Sequence, residues 1–165
     1  MQEYLGDILV YNKKRQLVLI VVSMNLHDKS RQWVMQFRRN LYQNASLPKT
    51  PFFVMAFPDH FYLWKNVEDE GEVEPTYEMA PRFTLQSFFK KSGLSVDDLD
   101  RDSFELLINS WFSVLRLADE EQDIDSRHPN WQQEQNHTWL FESGLFEVVK
   151  GGELITRYQY DESLR

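Results

Sequence analysis

The sequence predicts a single α/β domain, residues 1–165, in which helices flank a mixed β-sheet on both faces. Residues 15–24 are almost continuously aliphatic, which is typical of a strand covered on both sides. Residues 30–43 instead carry apolar side chains at helical spacing and lie between segments of strand character. With 42% hydrophobic and 15% aromatic residues, the chain has enough apolar material for a sizeable core, which excludes a disordered chain.

The first predicted element is an antiparallel hairpin, at the start of a core that spans about residues 1–65. Residues 7–11 and 15–24 are β-branched and aliphatic, and a short polar segment separates them. Because side chains alternate along a strand, the even-numbered residues 18–24 are expected on one face and the odd-numbered residues 17–21 on the other. Both sets are mostly apolar, so the second strand is predicted to be central in the sheet.

A helix and a second hairpin complete the predicted core. Apolar residues recur at every fourth position within residues 30–43, which predicts an amphipathic helix. Either Asp28 or Ser30 is expected to cap its first turn. Residues 52–57 and 61–65 then predict two strands joined by a turn that contains proline. The predicted order of core elements is therefore β-β-α-β-β.

A helical and C-terminal strand elaboration is predicted over about residues 84–160. Its periodicity is clearest in residues 102–117, where one face of a helix is apolar. The predicted elements are helices at 84–91, 102–117 and 131–140, an extended segment at 145–150 and a final strand at 153–160. The acidic residues 66–78 and 118–129 are predicted to form solvated connections.

Composition and charge exclude several classes of function. The chain has no cysteine, which excludes disulfides, thiolate-bound metals and cysteine nucleophiles. Its apolar run at residues 17–24 is far shorter than the ~20 residues of a membrane-spanning helix, so a cytoplasmic protein without membrane association is predicted. The net charge is −8, but residues 1–65 carry nine Lys and Arg against four Asp and Glu. This asymmetry indicates either a nucleic-acid footprint or two solvated faces of opposite charge.

Several short segments resemble a small bacterial family of the PD-(D/E)XK nuclease superfamily, which has the restriction-endonuclease-like fold. The resemblance begins with Gly-Asp-Ile-Leu-Val-Tyr at residues 6–11 and continues through residues 17–25, the strand that usually reads Glu-x-Lys in the family. The pair Arg39 and Asn40 is also similar. The remaining similar segments are residues 52–65, 143–146 and 150–152. A restriction-endonuclease-like mixed sheet is the fold that this resemblance implies.

The resemblance also implies a metal site from which two of three expected residues are missing. In the superfamily, an Asp and a Glu on adjacent strands hold Mg²⁺, and a Lys positions the attacking water. Asp7 matches the first position, whereas Val22 stands in place of the Glu and Met24 in place of the Lys. Valine offers no oxygen and methionine only a soft thioether, so Asp7 alone is expected to bind Mg²⁺ weakly. Val22 and Met24 are expected to fill the former site, which predicts a catalytically degenerate domain without a cofactor.

Two alternative functions would both involve nucleic acid as a substrate or partner. A Mg²⁺-dependent nuclease with relocated ligands would draw on Asp28 and Lys29, which closely follow the second strand, although Asp28 is also a favoured helix cap. A nonspecific nucleic-acid binder would instead use basic residues of the first hairpin and of the helix that follows it. Those residues are Lys13, Lys14, Arg15, Arg38 and Arg39.

The leading prediction is a non-catalytic module that binds a protein partner or has a regulatory role. The acidic residues 68–74 and 119–125 are the candidate surfaces for such a partner. A homo-oligomer is also considered, because a second copy of the chain would have to cover any sheet face that residues 84–117 leave open.

Overall fold

A six-stranded mixed β-sheet forms the centre of the structure, a computed structural model that describes residues 6–45, 47–81, 85, 96–117 and 138–156. The strands are β1 (Ile8–Tyr11), β2 (Leu17–Ser23), β3 (Phe52–Ala56), β4 (Phe61–Lys65), β5 (Tyr77–Met79) and β6 (Glu153–Thr156). Their order across the sheet is β5-β4-β3-β2-β1-β6. β2 and β3 run parallel, and every other neighbouring pair is antiparallel.

Three α-helices of the described residues cover the two faces of the sheet. α1 (Arg31–Asn44) connects the parallel strands β2 and β3 and buries its apolar side on one face. α2 (Arg101–Leu117) and α3 (Leu145–Lys150) pack on the other face, together with a π-helical turn at Thr138–Glu142. The prediction of an α/β fold with a mixed sheet between helices is therefore confirmed. No helix in the described part of the chain has both the length and the apolarity needed to cross a bilayer.

β2 is buried in its central part, and a bulge at its start changes which face its side chains occupy. Residues 19–22 alternate between the hydrophobic core under α1 and the core under α2, as predicted. The pairing register with β1 shifts between Val10 and Tyr11. This bulge places Leu17 in the core under α1 and Val18 in the core under α2. The faces predicted for Leu17 and Val18 are therefore wrong, because strict alternation holds only where the ladder is regular.

Residues 145–150 form α3, whereas an extended segment is predicted for them. Leu145, Phe146 and Val149 are buried, and the spacing of these residues suits a helix that packs one side on the core. Gly144 precedes the helix with a φ of 90°, in the left-handed region that favours glycine. Six residues span fewer than two helical turns, so their periodicity does not distinguish a helix from a strand.

The remaining predictions differ from the structure mainly at element boundaries. α1 begins after Ser30, whose hydroxyl accepts a hydrogen bond from the Trp33 backbone N–H at 3.1 Å. Ser30 is thus the cap, and the prediction of Asp28 as an alternative cap is wrong. β5 overlaps the end of residues 66–78, which are predicted to form an acidic loop. Most of the helices predicted at 84–91 and 131–140, the acidic segment 118–129 and residues 157–160 lie outside the described residues.

Candidate functional site

A cavity of about 510 Å³ lies at the carboxyl end of β2, between α1 and the first turns of α2. This size falls within the range of small-molecule sites, and the carboxyl ends of parallel strands are a frequent place for such sites. Its lining residues are Asp7, Val22, Ser23, Met24, Asn25, Leu26, Phe37, Leu41, Arg101, Phe104 and Glu105. The three motif positions that the sequence singles out, residues 7, 22 and 24, are therefore brought together.

Asp7 is held against the end of β2 by two donors from a single residue. Its Oδ2 accepts hydrogen bonds from the Ser23 backbone N–H at 2.6 Å and from the Ser23 hydroxyl at 2.9 Å. Gly6 makes this close approach possible, because its φ is 140° and a Cβ there would lie 2.6 Å from Cγ2 of Ile20. Asp7 is only 4% exposed, so its carboxylate forms part of the floor of the cavity.

Val22 and Met24 line the cavity but do not fill it. Val22 is 3% exposed and belongs to the hydrophobic core under α1, and the half-buried Met24 packs against the same core. Further apolar walls come from Phe37 and Leu41 of α1 and from Phe104 of α2. α1 and α2 lie on opposite faces of the sheet and form two opposite walls of the cavity. The side chains of Val22 and Met24 are too short to fill the space between these walls. The expectation that two apolar residues close the former site is therefore wrong.

Besides Ser23, three polar residues that line the cavity are absent from the predicted site residues. Glu105 is 4% exposed, and Arg101 lies one helical turn before it on α2 and is exposed. Asn25 donates through Nδ2 to the Leu99 carbonyl at 2.9 Å, and its Oδ1 is buried without a hydrogen-bond donor among the described residues. One signal was present in the sequence. This signal is an acidic residue on the predicted apolar face of α2: Glu105 follows Phe104 and lies three residues before Ile108. A charged residue at such a position is seldom buried without a specific role.

Neither Asp28 nor Lys29, the candidates for relocated metal ligands, lines the cavity. Asp28 is exposed, has a φ of 59°, and donates its backbone N–H to Oδ2 of Asp59 at 2.9 Å. The Lys29 ammonium lies 4.9 Å from the centre of the Trp33 ring. The structure therefore places both residues in the loop before α1. Among the described residues that line the cavity, Glu105 is the second carboxylate besides Asp7.

The basic residues proposed to bind nucleic acid fall on two different faces of the sheet. Lys13, Lys14 and Arg15 are exposed in the turn between β1 and β2. Lys13 and Lys14 border a groove whose other walls include residues of α3, on the face opposite α1. Arg38 and Arg39 lie on α1 instead. The five residues thus do not form one continuous basic surface.

Arg38 is enclosed and holds the acidic segment against α1. It is 1% exposed, and its Nη1 donates to the carbonyls of Asp69 at 3.1 Å and Gly71 at 3.3 Å. Its guanidinium lies 4.7 Å from the centre of the Tyr42 ring and 5.3 Å from that of Trp64. Burial lowers the pKa of Arg38 below its ordinary value, although nearby oxygens partly offset this effect. A phosphate cannot reach this group without opening the fold.

The acidic segment at residues 68–74 is engaged within the molecule. Glu72 pairs with Arg39, Glu70 lies near Lys49, and Glu74 lies near Arg31. Pairs at the surface contribute little to stability individually, but together they neutralise much of the negative charge of the segment. Its value as a docking surface for a basic partner is correspondingly reduced. The other predicted acidic surface, residues 119–125, lies outside the described residues.

A second polar cluster surrounds His60, in the turn between β3 and β4 and away from the cavity. Its ring centre lies 4.5 Å from that of Tyr62, and its Nε2 lies 3.8 Å from Oε1 of Glu78. Burial lowers the pKa of His60 below its ordinary value, despite the opposite influence of Glu78 and Asp59. Glu78 also pairs with Arg31, whose positive charge lowers the pKa of His60 further.

Acidification is expected to destabilise the protein through His60. Because its pKa is lower in the folded state than in the unfolded state, the unfolded chain binds more protons over this interval. Stability is therefore highest above the unfolded-state pKa of 6.5 and declines as the pH falls through the lowered folded-state pKa. Urea unfolding at about pH 7 and about pH 5 should show a smaller loss on acidification for His60→Gln than for the wild type. Equal losses would contradict this role.

Apolar side chains outnumber polar ones among the described residues that line the cavity. Among the described residues, no three His, Cys, Asp or Glu side chains are placed to hold a metal ion together. The described lining residues include no lysine, and apolar side chains form most of the wall. No protein-family model, curated protein or solved structure matches the chain. The chemistry of this cavity is therefore the basis for assigning a function.

Proposed function

We propose that the chain is a catalytically degenerate domain of the restriction-endonuclease-like type and acts as a regulatory module that binds a small molecule. The observation that carries this proposal is the cavity beside Asp7, where Val22 and Met24 provide an apolar wall at the positions of the expected Glu and Lys. The fold supports the ancestry, because Asp7 immediately precedes β1, β1 is antiparallel to β2, and a helix connects β2 to the parallel strand β3.

Binding is favoured over hydrolysis by the chemistry of the lining residues. Mg²⁺ prefers octahedral coordination by oxygen, and catalysis also needs a group that positions the attacking water. Val22 and Met24 supply neither function. An apolar wall with a few polar groups is instead the usual composition of a small-molecule site. The cavity that remains without the two catalytic residues therefore favours the binding of an organic ligand over the binding of a metal ion.

A regulatory role through a ligand is favoured over an acidic docking surface. Three of the five acidic residues at 68–74, Glu70, Glu72 and Glu74, lie close to cations of α1 or to Lys49, whereas the cavity is open to solvent. A ligand that bridges α1, α2 and the end of β2 would stabilise the folded state by mass action. It would also fix the relative positions of three elements, which is a physical route from binding to regulation.

A Mg²⁺-dependent nuclease is the second candidate, and Glu105 is the observation that favours it. This residue supplies a second buried carboxylate to the cavity, from α2 and not from β2. Two carboxylates and water can hold a divalent cation, so this alternative is tested directly. Plasmid and single-stranded DNA should remain intact with Mg²⁺ or Mn²⁺. Cleavage that depends on the metal and disappears in Asp7→Ala and Glu105→Gln would overturn the non-catalytic proposal.

The binding proposal is tested by titrating hexan-1-ol, a neutral apolar probe, into the isotope-labelled protein. Saturable amide shifts are expected around Val22, Met24 and Phe37, at millimolar concentrations of the probe. Leu41→Trp should fill the cavity and weaken binding by roughly tenfold or more, since each 1.4 kcal/mol is a factor of ten. Leu117→Trp is the matched control, because Leu117 is 74% exposed and does not line the cavity. Shifts that do not saturate, or that survive Leu41→Trp, would overturn the proposal.

A further inference from the structure

We infer that the outward face of α2 binds the same face of α2 in a second copy of this chain, with the two helices antiparallel. This inference concerns a different side of α2 from the cavity and does not depend on the proposed function. The first observation is the location of the exposed apolar side chains. Within the described residues, the large hydrophobic side chains that are exposed are Leu106, Val114 and Leu117, at 53%, 45% and 74%. All three lie on α2, and such clustering on one surface is typical of an interaction site, whereas scattered exposed hydrophobic residues are not.

A seam of regularly spaced positions connects these residues along the outside of α2. Residues 103, 106, 110, 113 and 117 follow one another at alternate steps of three and four, which is the spacing along which two helices pack side by side. None of the five is buried, whereas the buried apolar residues of α2 belong to the core under the helix. The seam is about 21 Å long at 1.5 Å per residue, so it offers a second helix a continuous line of contact.

The second observation is that the seam is complementary to itself when one copy is reversed. An antiparallel pair that crosses at Ser110 places Leu106 of one copy opposite the partner's Val114, because each lies four residues from the crossing point. Leu106 then enters a hole bordered by residues 110, 113, 114 and 117 of the second copy, and two of these four are serines that leave room for it. The Ser110 hydroxyl donates to the Leu106 carbonyl at 2.8 Å, so the partner can cover it without loss of its hydrogen bond.

The third observation is the charge beside the seam. Asp102 is exposed in the first turn of α2 and Arg116 is exposed in the last turn, and each precedes a seam position by one residue. The two charges therefore lie on the same flank of the seam, and antiparallel helices bring this flank of each copy together. Asp102 of each copy then faces the partner's Arg116 across a two-fold axis, whereas parallel helices would set like charges against each other. This charge complementarity favours a second, antiparallel copy as the occupant of the face.

Sedimentation velocity of the full chain measures whether it associates. A contact between two single helices is small, so we expect a dissociation constant of about 10 μM and an average mass that rises from one chain towards two as the concentration increases. Leu106→Glu should weaken association by roughly tenfold or more, because it places a charge in an apolar contact. Gln43→Glu adds the same charge at an exposed position of α1 and is the matched control. A wild type that stays monomeric at about 200 μM, or equal association of Leu106→Glu and the wild type, would overturn the proposal.

Charge reversal tests the contact between the two flanks. Asp102→Arg should weaken association several-fold at low salt, because each copy then sets two arginines against each other. The double variant Asp102→Arg with Arg116→Glu exchanges the two charges and should restore association to near the wild-type value. A double variant that associates no better than Asp102→Arg would contradict the antiparallel arrangement.

Site-specific cross-linking measures the orientation of the two helices directly, because the chain has no cysteine of its own. Ser110→Cys places both thiols at the crossing point, so mild oxidation should join the copies by a disulfide. Leu117→Cys alone should not cross-link, since its two thiols would lie about 21 Å apart at 1.5 Å per residue. A mixture of Ser103→Cys and Leu117→Cys should cross-link, because these positions are opposite each other. Cross-linking of Leu117→Cys alone to the same extent as Ser110→Cys would overturn the antiparallel pair.

Discussion

Replacing Arg38 by alanine is expected to lower the free energy of unfolding by about 3 kcal/mol, an effect typical of removing a large, fully enclosed and hydrogen-bonded side chain. The substitution removes the donor to the carbonyls of Asp69 and Gly71 and empties the space between the rings of Tyr42 and Trp64. Both carbonyls lose their partner, and the acidic segment loses its attachment to α1. Urea unfolding followed by tryptophan fluorescence measures this change directly.

Arg39 provides the control for Arg38, because the two arginines are neighbours on the same helix. The Arg39 side chain is 35% exposed, and it pairs with Glu72 at the surface. Arg39→Ala should therefore cost less than about 1 kcal/mol, and this cost should shrink as salt is added. Similar losses for the two variants would show that Arg38 does not hold the segment in the way its contacts indicate.

Val22→Glu is expected to lower stability by about 3 kcal/mol or more in the absence of metal, and Mg²⁺ should restore part of this loss. The new carboxylate would replace a side chain that is 3% exposed, and it would line the same cavity as Asp7 and Glu105. Three carboxylates in one cavity repel one another, and a divalent cation relieves this repulsion. Thermal unfolding with EDTA and with added Mg²⁺ measures both effects.

Val22→Gln distinguishes charge from lost packing. The amide has nearly the same shape as the new carboxylate, so its own destabilisation should be insensitive to Mg²⁺. If Mg²⁺ changes the melting temperatures of both variants equally, the introduced carboxylate does not bind Mg²⁺ together with Asp7 and Glu105. The alignment of β2 with the Glu-x-Lys strand then loses its support. Combining Val22→Glu with Met24→Lys extends the experiment to DNA cleavage, which is expected only from the double variant.

The elements that the sequence predicts well are those whose patterns are local. β2 follows from an aliphatic run, and α1 follows from repeated apolar spacing with a capping serine, so both were predicted to within a few residues. The bulge at Val18, opposite Val10 and Tyr11, has no comparable pattern in the sequence. Leu17 and Val18 therefore lie on faces that strict alternation does not predict. α3 has only six residues, too few for its apolar positions to show a helical period.

The candidate site required information that no local pattern contains. Asp7, Val22 and Met24 lie in or beside two adjacent strands, and their proximity follows from the hairpin alone. Whether the space above them is filled depends on how far apart α1 and α2 lie. Glu105 joins the site from a helix far along the chain. Likewise, Arg38 differs from its neighbour Arg39 only because of the segment that folds over it, so local sequence predicts the same surface role for both.

The position of β6 has a consequence for the order in which the protein folds during synthesis. β1 pairs with β2 on one side and with β6 on the other, and Ile8 pairs with Thr156. The hairpin of β1 and β2 can form soon after it leaves the ribosome, but its outer edge has no partner until the residues of β6 have emerged. For that interval the nascent chain presents an apolar strand edge, which is the kind of surface that aggregates and that chaperones bind. Premature termination before residue 153 would make this exposure permanent.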